Sequence, residues 1–439
     1  MTEKVQTFFE KNAVIIKISA IAFLSLMLLI PTAMINSLVK ERQQRLDEAT
    51  HDISSKWGFE QQITGPILVV PYYSYEYDIE KKGTIKVRHQ AYFLPESLEV
   101  DGEMVPEVRY RGIFRVAVYN SSLSLKGKFQ KPSFEATKKA GVEWEDAFII
   151  LGITDLRGIK ENIKFEWNGK EKTCDPGIKN SKIVESGITL NNLLTNNDDE
   201  TEYGFNFNIS LNGSRGLSFV PVGKETRARI TSSWQNPSFD GAFLPASREI
   251  SQTGFVAFWQ VLELNRNYPQ AWDDTKVNFA ESAFGVSLKL PIDTYQITER
   301  SMKYAILFIV LTFMVFFFVE IMRKLRVHPV QYILVGFGLV LFYLLLLSLA
   351  EQFNFVIAYI IASFGTITMI TAYSLSIFKN RKLALIMATI LILLYGFLYI
   401  LLQMQDYALL MGSIGLFIIL SSIMYLSRRI DWYSIGGKE

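Results

Sequence analysis

Cysteine is nearly missing. Cys174 is the only one in 439 residues, which excludes an intrachain disulfide framework and any multi-cysteine metal cluster. Histidine is scarce as well: His51, His89 and His328 are far apart and form no HExxH pair, so a zinc hydrolase has little support. Walker A and G-x-G-x-x-G patterns are absent, which leaves nucleotide use without a sequence basis. No excess of one charge exists either. With 45 Lys and Arg against 43 Asp and Glu the net charge is +2, and a strongly basic nucleic-acid binder is excluded as the default. One region almost lacks charge altogether, with nine charged side chains between Tyr304 and Leu426. Polarity concentrated elsewhere to that degree marks a membrane protein with a large water-exposed part.

What is present begins with six apolar runs. Val14–Ile35 is 22 residues long with one charge, Lys17. At 1.5 Å per residue it reaches about 33 Å, enough to cross a hydrocarbon core. A cleaved signal peptide is the rival reading; the apolar run is long for one and no clean small-x-small site follows, so an uncleaved anchor is preferred. Tyr304–Ile321, Tyr332–Ala350, Phe355–Ile377, Leu383–Leu402 and Ala408–Leu426 are the other five. Their links are short, so consecutive helices run antiparallel. Arg323, Lys324 and Arg326 follow the second run, Lys379, Arg381 and Lys382 the fourth, Arg428 and Arg429 the sixth. The alternate links carry only Glu351 and Asp406. Basic links stay on the cytoplasmic side, which puts both termini there and the long insertion outside.

That insertion, Asn36 to Lys303, holds 33 basic and 36 acidic residues. Val39, Leu46, Ala49, Ile53 and Trp57 recur at a helical period, predicting an amphipathic stalk that continues the first span and stops at Gly58. Beyond it the pattern turns to alternation: Ile67–Tyr77, Ile85–Phe93, Ile113–Leu125, Phe148–Thr154, Ile163–Trp167, Tyr203–Ser210, Leu217–Val222 and Thr226–Trp234 read as strands. Gly83, Asp101–Gly102, Gly127, Gly158, Asn168–Gly169 and Asn212–Gly213 read as the breaks between them. Short helices are expected around Ser133–Ala140 and Phe255–Leu264, and a solvated loop at Leu193–Glu202. The fold class expected is a membrane α-helical bundle of six transmembrane helices plus a large, predominantly antiparallel β domain on a helical stalk.

Several segments carry a family likeness. They are LLIPTAMINSLVKERQQR (Leu28–Arg45), TGPILVVPY (Thr64–Tyr72), YFLPESLEVDGEM (Tyr92–Met104) and RGIFRVAVYNSSLSLKGKF (Arg111–Phe129). Further on stand FVPVGKETRARITSSWQNPSFDGAFLPASREI (Phe219–Ile250), GFVAFWQVLELNRNYPQAW (Gly254–Trp272) and the block from Ala283 to Glu351. In these segments and in layout the chain resembles the CreD family of bacterial inner-membrane proteins. Ile159–Glu202 carries no part of the resemblance, and spans four to six match in character alone. The resemblance implies a cell-envelope integrity protein, induced with a two-component system and linked to tolerance of colicins and cell-wall antibiotics. It implies no enzymatic activity, cofactor or catalytic residue. The layout expected is a cytoplasmic N-terminus (1–13), first transmembrane helix (14–35), stalk (36–58), β-rich periplasmic domain (59–303), five-helix bundle (304–426) and cytoplasmic tail (427–439).

Candidate chemistry is thin. A Ser-His-Asp site would need His89 or His51, and no G-x-S-x-G elbow accompanies either. Cys174, in TCDPG with no histidine near, reads as inert or surface-exposed. Glu320 reads as an interfacial carboxylate paired locally with Arg323 and Lys324, and Glu351 as a water-reached group closing the third span. Tyr343, Tyr395 and Tyr399 read as packing groups, as do Ser363, Thr366, Ile370 and Ser374 beside Ala362. His328, before Pro329, reads as a turn with a solvated histidine. The aromatics Trp234, Phe239, Phe243, Phe255, Phe258, Trp259, Tyr268 and Trp272 read as core. Arg227, Arg229, Arg248 and Arg266 read as solvated surface. No catalytic, cofactor-binding or metal residue is assigned. The favoured function is a non-catalytic envelope-stress protein whose partners are the bilayer, other envelope proteins or lipids, and not nucleic acid. A transporter of a small or lipidic envelope compound, needing a polar or amphipathic cavity in the bundle, and an envelope hydrolase are the rivals.

Overall fold

The computed structural model describes residues 13–78, 83–134, 141–179, 183–195, 200–273, 277–290, 294–323, 325–404 and 407–428. The chain divides into two units, Met1–Arg45 with Ile292–Glu439, and Leu46–Pro291. Apolar composition builds α1 (Ala13–Met27) and α2 (Leu29–Trp57), separated at Leu28. Pro31 causes the interruption. It has no N–H for the carbonyl four residues back, so the helical ladder lapses there. Thr32 Oγ1 donates to the Leu28 carbonyl at 2.8 Å beside the gap. At the far end the helix stops before Gly58, whose φ of +139° disfavours a side chain and whose added Cβ would lie 2.6 Å from the Asn212 carbonyl oxygen.

The second unit is built of strands β1 (Gln61–Asp78), β2 (Gly83–Phe93), β3 (Ser97–Arg111), β4 (Phe114–Gln130), β5 (Phe148–Ile153) and β6 (Lys164–Trp167). β7 (Lys170–Lys172), β8 (Asp175–Pro176), β9 (Gly187–Leu190), β10 (Glu202–Ser214), β11 (Gly216–Phe219) and β12 (Glu225–Ser232) follow. β13 (Pro237–Gly241), β14 (Ser247–Ser251), β15 (Gly254–Leu262), β16 (Ala271–Asp273) and β17 (Phe284–Leu288) complete them. Two sheets result. One runs β13-β17-β11-β1-β5-β9-β8, with β2 on β1 and β16 on β2; the other runs β14-β15-β12-β3-β4-β10-β6-β7. Pairing is antiparallel apart from β1 with β11 and β3 with β12. One continuous set of buried side chains draws on both sheets, from Ile67 and Ile150 to Leu125, Phe207 and Trp259.

Strand chemistry explains the layers. In β12, Thr226, Ala228, Ile230 and Ser232 are buried while Arg227 and Arg229 face water, the period of a half-buried strand. β5 (FIILGI) is buried throughout, the composition of a strand covered on both faces. Asn168 and Gly169, at φ 48° and 73°, form the tight turn between β6 and β7.

Four expectations are corrected. Asp101–Gly102, Gly127 and Asn212–Gly213 are not turns; they lie inside β3, β4 and β10. Phe255–Leu264 is no helix either: β15 occupies most of it, pairing with β12 from Phe255 opposite Ser232 to Leu262 opposite Glu225. The helix expected at Ser133–Ala140 lies largely outside the described residues, and so does the middle of the Leu193–Glu202 stretch.

The first unit adds α3 (Thr294–Met302), α4 (Ala305–Arg323), α5 (Pro329–Ala350), α6 (Phe355–Phe378), α7 (Arg381–Gln403) and α8 (Ala408–Ser427). Six helices among the described residues are long and apolar enough to cross a membrane: the α1–α2 rod and α4 to α8. Their turns are chemically specified. Asn354 caps α6 through the Ile357 N–H at 2.9 Å, and Asn380 caps α7 through the Lys382 N–H at 2.9 Å. His328 accepts from the Val330 N–H at the start of α5, with Pro329 at the first helical position. His328 is exposed in the link between the two spans, as expected, and also caps the following helix.

Candidate functional site

The groups most associated with chemistry are dispersed. His51 lies against Phe59 with ring centroids 5.3 Å apart. His89 in β2 hydrogen-bonds Ser74 at 2.7 Å through Nε2 and stacks on Tyr72 at 5.2 Å. His328 is the cap already described. Cys174 is half-buried, and burial together with Asp175 pushes its thiol up to about 11, the opposite of an activated nucleophile. Among the described residues no three His, Cys, Asp or Glu side chains come together in a metal-binding group.

Charge inside the bundle is arranged with more purpose. Glu320 is 4% exposed near the C-terminal end of α4. Its partners come from elsewhere: Lys17 of α1 forms an ion pair with Oε1, the Tyr332 hydroxyl of α5 donates to Oε2 at 3.0 Å, and the Val327 N–H donates to Oε1 at 2.8 Å. Among the described residues the ion pair of Glu320 is with Lys17 of the first helix and not with Arg323, and Lys324 lies outside the described residues. A carboxylate with this many donors is satisfied where an isolated one would be prohibitively costly.

A second pin stands further along the same helical rod, beyond its apolar span. Arg42 of α2 lies 3.5 Å from Glu351 at the end of α5, and the Tyr295 hydroxyl of α3 donates to that carboxylate at 3.1 Å. Glu351 is only 10% exposed in its side chain, so it is a three-element junction and not the water-reached group expected. Lys17 and Arg42 are 25 residues apart, roughly 37 Å along a helix, slightly more than the ~30 Å hydrocarbon thickness. Each charge therefore sits at a level where its partner can be reached without crossing the apolar core.

Between the pins the bundle is aromatic. Phe342 packs against Tyr395 at 4.7 Å, against Tyr343 at 5.0 Å and against Tyr359 at 5.6 Å; Phe308 meets Tyr395 at 5.6 Å. The Tyr359 hydroxyl donates to the Tyr395 carbonyl at 2.6 Å. Ser363 and Ser374 bond the carbonyls of Tyr359 and Ile370 on their own helix, while Ala362, Thr366 and Ile370 are buried, so this face of α6 is a packing face.

In the other unit the last turns of α2 are fastened into the sheets. Ser54 Oγ bonds Ser214 Oγ at 2.7 Å in a buried site, and Trp57 Nε1 donates to the Tyr119 carbonyl at 3.1 Å. Arg109 lies over the Trp57 ring at 3.9 Å, and Arg111 pairs with Asp52. Asp155 continues the junction. It accepts from the Phe59 N–H at 3.0 Å and from Arg157 Nε at 2.9 Å. Burial alone would raise the Asp155 carboxyl, but the Arg157 guanidinium and the two N–H groups outweigh it and hold the carboxyl below the usual range. Gln61, fully buried, donates to the carbonyls of Asp155 and Asn212, each at 3.0 Å.

The aromatic-rich stretch is largely core: Phe255, Trp259, Tyr268 and Trp272 are buried, and Trp234, Phe239 and Phe243 pack on them. Arg266 departs from the surface reading. It is buried, donates to the Tyr268 carbonyl at 2.9 Å and bonds Gln270, and burial lowers its guanidinium from the ordinary value. Gln270 in turn holds the carbonyls of Leu94 and Pro95.

Six apolar spans and a two-sheet domain inserted after the first define a multi-pass membrane protein with a large globular insert. The chain belongs to the CreD family. The family model described as inner membrane protein CreD matches residues 13–433, a range that takes in Ile159–Glu202 and the last three spans. Inner membrane protein CreD of Escherichia coli (strain K12) is 36% identical over 418 residues, covering 94% of this chain and 92% of that protein.

Proposed function

We propose that this inner-membrane protein serves the integrity of the cell envelope under stress, without catalysis, through contacts with envelope proteins or lipids. In this reading both termini are cytoplasmic and residues ~36–303 are periplasmic. The observation that carries it is the double fastening of one helical rod. Its span is held by Lys17–Glu320 and Arg42–Glu351, and its far end is hydrogen-bonded into the β domain at Ser54 and Trp57. In this reading α2 is the segment through which a ligand on the β domain influences the bundle. The basic residues after α4, α6 and α8 support the orientation. Close aromatic packing of Phe342, Tyr359 and Tyr395 supports contacts over transport through that part of the bundle.

Alkaline phosphatase fused near residue 180 is expected to be active, and a cytosolic reporter at that position inactive; the reverse result removes the proposed compartment. Photo-crosslinkers placed on the exposed side chains of Tyr75 or Leu244 in intact cells are expected to trap envelope proteins or lipids. Recovery of the uncrosslinked chain alone from stressed and unstressed cells would reject the contact role.

A further inference from the structure

Between α4, α7 and α8 lies a cleft of about 460 Å³, within the range of about 300–1,000 Å³ typical of ligand pockets. One close contact lies on its border. Gly415 of α8 receives the ring of Phe397 of α7, and any Cβ at residue 415 would collide with that ring. Gly415 is buried in this contact, whereas most of the rest of α8 is exposed. Phe318 and Val315 of α4, Leu393 of α7 and Ile419 and Ile423 of α8 line the opening. The lining is apolar. Its one hydroxyl, on Ser422, donates to the Ile418 carbonyl of its own helix at 2.8 Å. Water gains nothing in such a site, because it needs two to four polar partners. Only hydrocarbon can fill it.

The end of the cleft adds a second requirement. Arg323 lies five residues beyond Phe318 at the end of α4, and Arg428, just after α8, lies five residues beyond Ile423. Both are thus about 7 Å past the cleft along the helix axis, and Arg381, the first residue of α7, lies nine residues before Ile390, about 13 Å past it at the same end. All three side chains are exposed, and among the described residues none of them pairs with a carboxylate. Arg428 rests over the Tyr425 ring at 4.0 Å. An apolar slot whose three helices each carry an exposed arginine beyond the lining, at the same end, is complementary to a chain that is hydrocarbon at one end and anionic at the other.

We infer that this cleft binds one anionic phospholipid, its acyl chain between α4, α7 and α8 and its phosphate at Arg323, Arg381 and Arg428. The site is independent of the envelope role proposed above, which can fail while this binding stands. Arg gives a phosphate a planar, bidentate partner, and the charges at such a surface supply the preference over a zwitterionic headgroup.

The test is native mass spectrometry of the full-length chain, delipidated in detergent and titrated with equimolar phosphatidylglycerol and phosphatidylcholine. The wild type is expected to retain one phosphatidylglycerol in preference. Each of Arg323→Gln, Arg381→Gln and Arg428→Gln is expected to weaken that retention about fivefold, with phosphatidylcholine unchanged. Ile419→Trp, which fills the slot, is expected to reduce retention of both lipids. Circular dichroism melts accompany each variant, and the exposed arginine variants carry the test if Ile419→Trp does not fold. Equal retention of the two lipids by the wild type, or an unchanged preference in the three arginine variants, overturns the assignment.

Discussion

Lys17 and Glu320 stand 303 positions apart in the chain and meet as one ion pair in the membrane unit, joining the first helix to α4. Glu320 is buried, whereas the Lys17 side chain is 30% exposed. Removing one member of such a pair costs more than removing both, because the survivor keeps its desolvation penalty without its partner.

Lys17→Met is therefore expected to destabilise the detergent-solubilised protein by about 3 kcal/mol, the low end for a buried pair because Lys17 is partly hydrated. Glu320→Gln keeps one acceptor oxygen for either Tyr332 or the Val327 N–H and leaves the partly hydrated lysine without its counter-charge, and should cost less than Lys17→Met. The double variant is expected to lose less than the two single losses added together. Thermal melts of the three variants form the cycle, and strict additivity would mean the pair has no coupling.

The strands themselves offer a contrast between two glycines. A Cβ at Gly102 would lie 2.8 Å from Ile230 Cδ1 and 2.8 Å from Leu123 Cδ2, both the far ends of flexible side chains. A Cβ at Gly127 would strike the Ser97 carbonyl oxygen, which is backbone and held in the β3–β4 ladder. Gly127→Ala is thus expected to cost upwards of about 3 kcal/mol and Gly102→Ala about 1 kcal/mol, within the usual scale of overpacking. Ile230→Val should partly relieve the second and leave the first unchanged. Unfolding monitored by tryptophan fluorescence decides the order.

These glycines also show where the sequence was legible and where it misled. Asp-Gly and Asn-Gly are turn pairs when the glycine supplies a positive φ; at Gly102 and Gly127 the glycine supplies space for Ile230, Leu123 and Phe205. Those neighbours arrive from strands more than 20 residues away, so no local pattern announces them. β15 was missed for a similar reason. Phe255, Ala257, Trp259 and Val261 alternate cleanly, but an aromatic-rich run ending in Glu-Leu-Asn also fits a helical period. The six spans and the stalk were readable because long apolar runs need no partner to be recognised. The pairing of Glu320 was not read, although Lys17 and Glu320 are opposite charges inside separate apolar runs and only such a match satisfies both.

Asp155 gives the β domain a defined acid sensitivity. Its carboxyl is held below the ordinary value in the folded state, so its contribution is complete above the unfolded value of about 3.9 and is lost as pH falls through the folded value. Wild-type stability is expected to drop on acidification below about pH 4 partly through this group. Asp155→Asn should be less stable than wild type at pH 7 and should show a shallower fall over the same acid range. Parallel acid titrations followed by tryptophan fluorescence test this, and parallel curves for the two proteins would assign the acid loss to other carboxylates.

The junction at the end of α2 yields to a different cycle. Ser54 Oγ and Ser214 Oγ are buried and bonded to each other at 2.7 Å. Ser54→Ala leaves the Ser214 hydroxyl without this partner, a loss of about 1–3 kcal/mol for a buried polar group. Ser214→Ala does the same in reverse. The double alanine variant removes both hydroxyls, and its loss is expected to be smaller than the sum. Trp57→Phe probes the second fastening by deleting the bond to the Tyr119 carbonyl while keeping a ring under Arg109, and should cost about 1 kcal/mol. If the rod carries load from the β domain to the bundle, hydrogen exchange in residues 46–57 must rise in all three single variants while exchange in α5 stays at its wild-type rate. Faster exchange confined to β4 and β10 would place the loosened segment in the sheet and not in the helix.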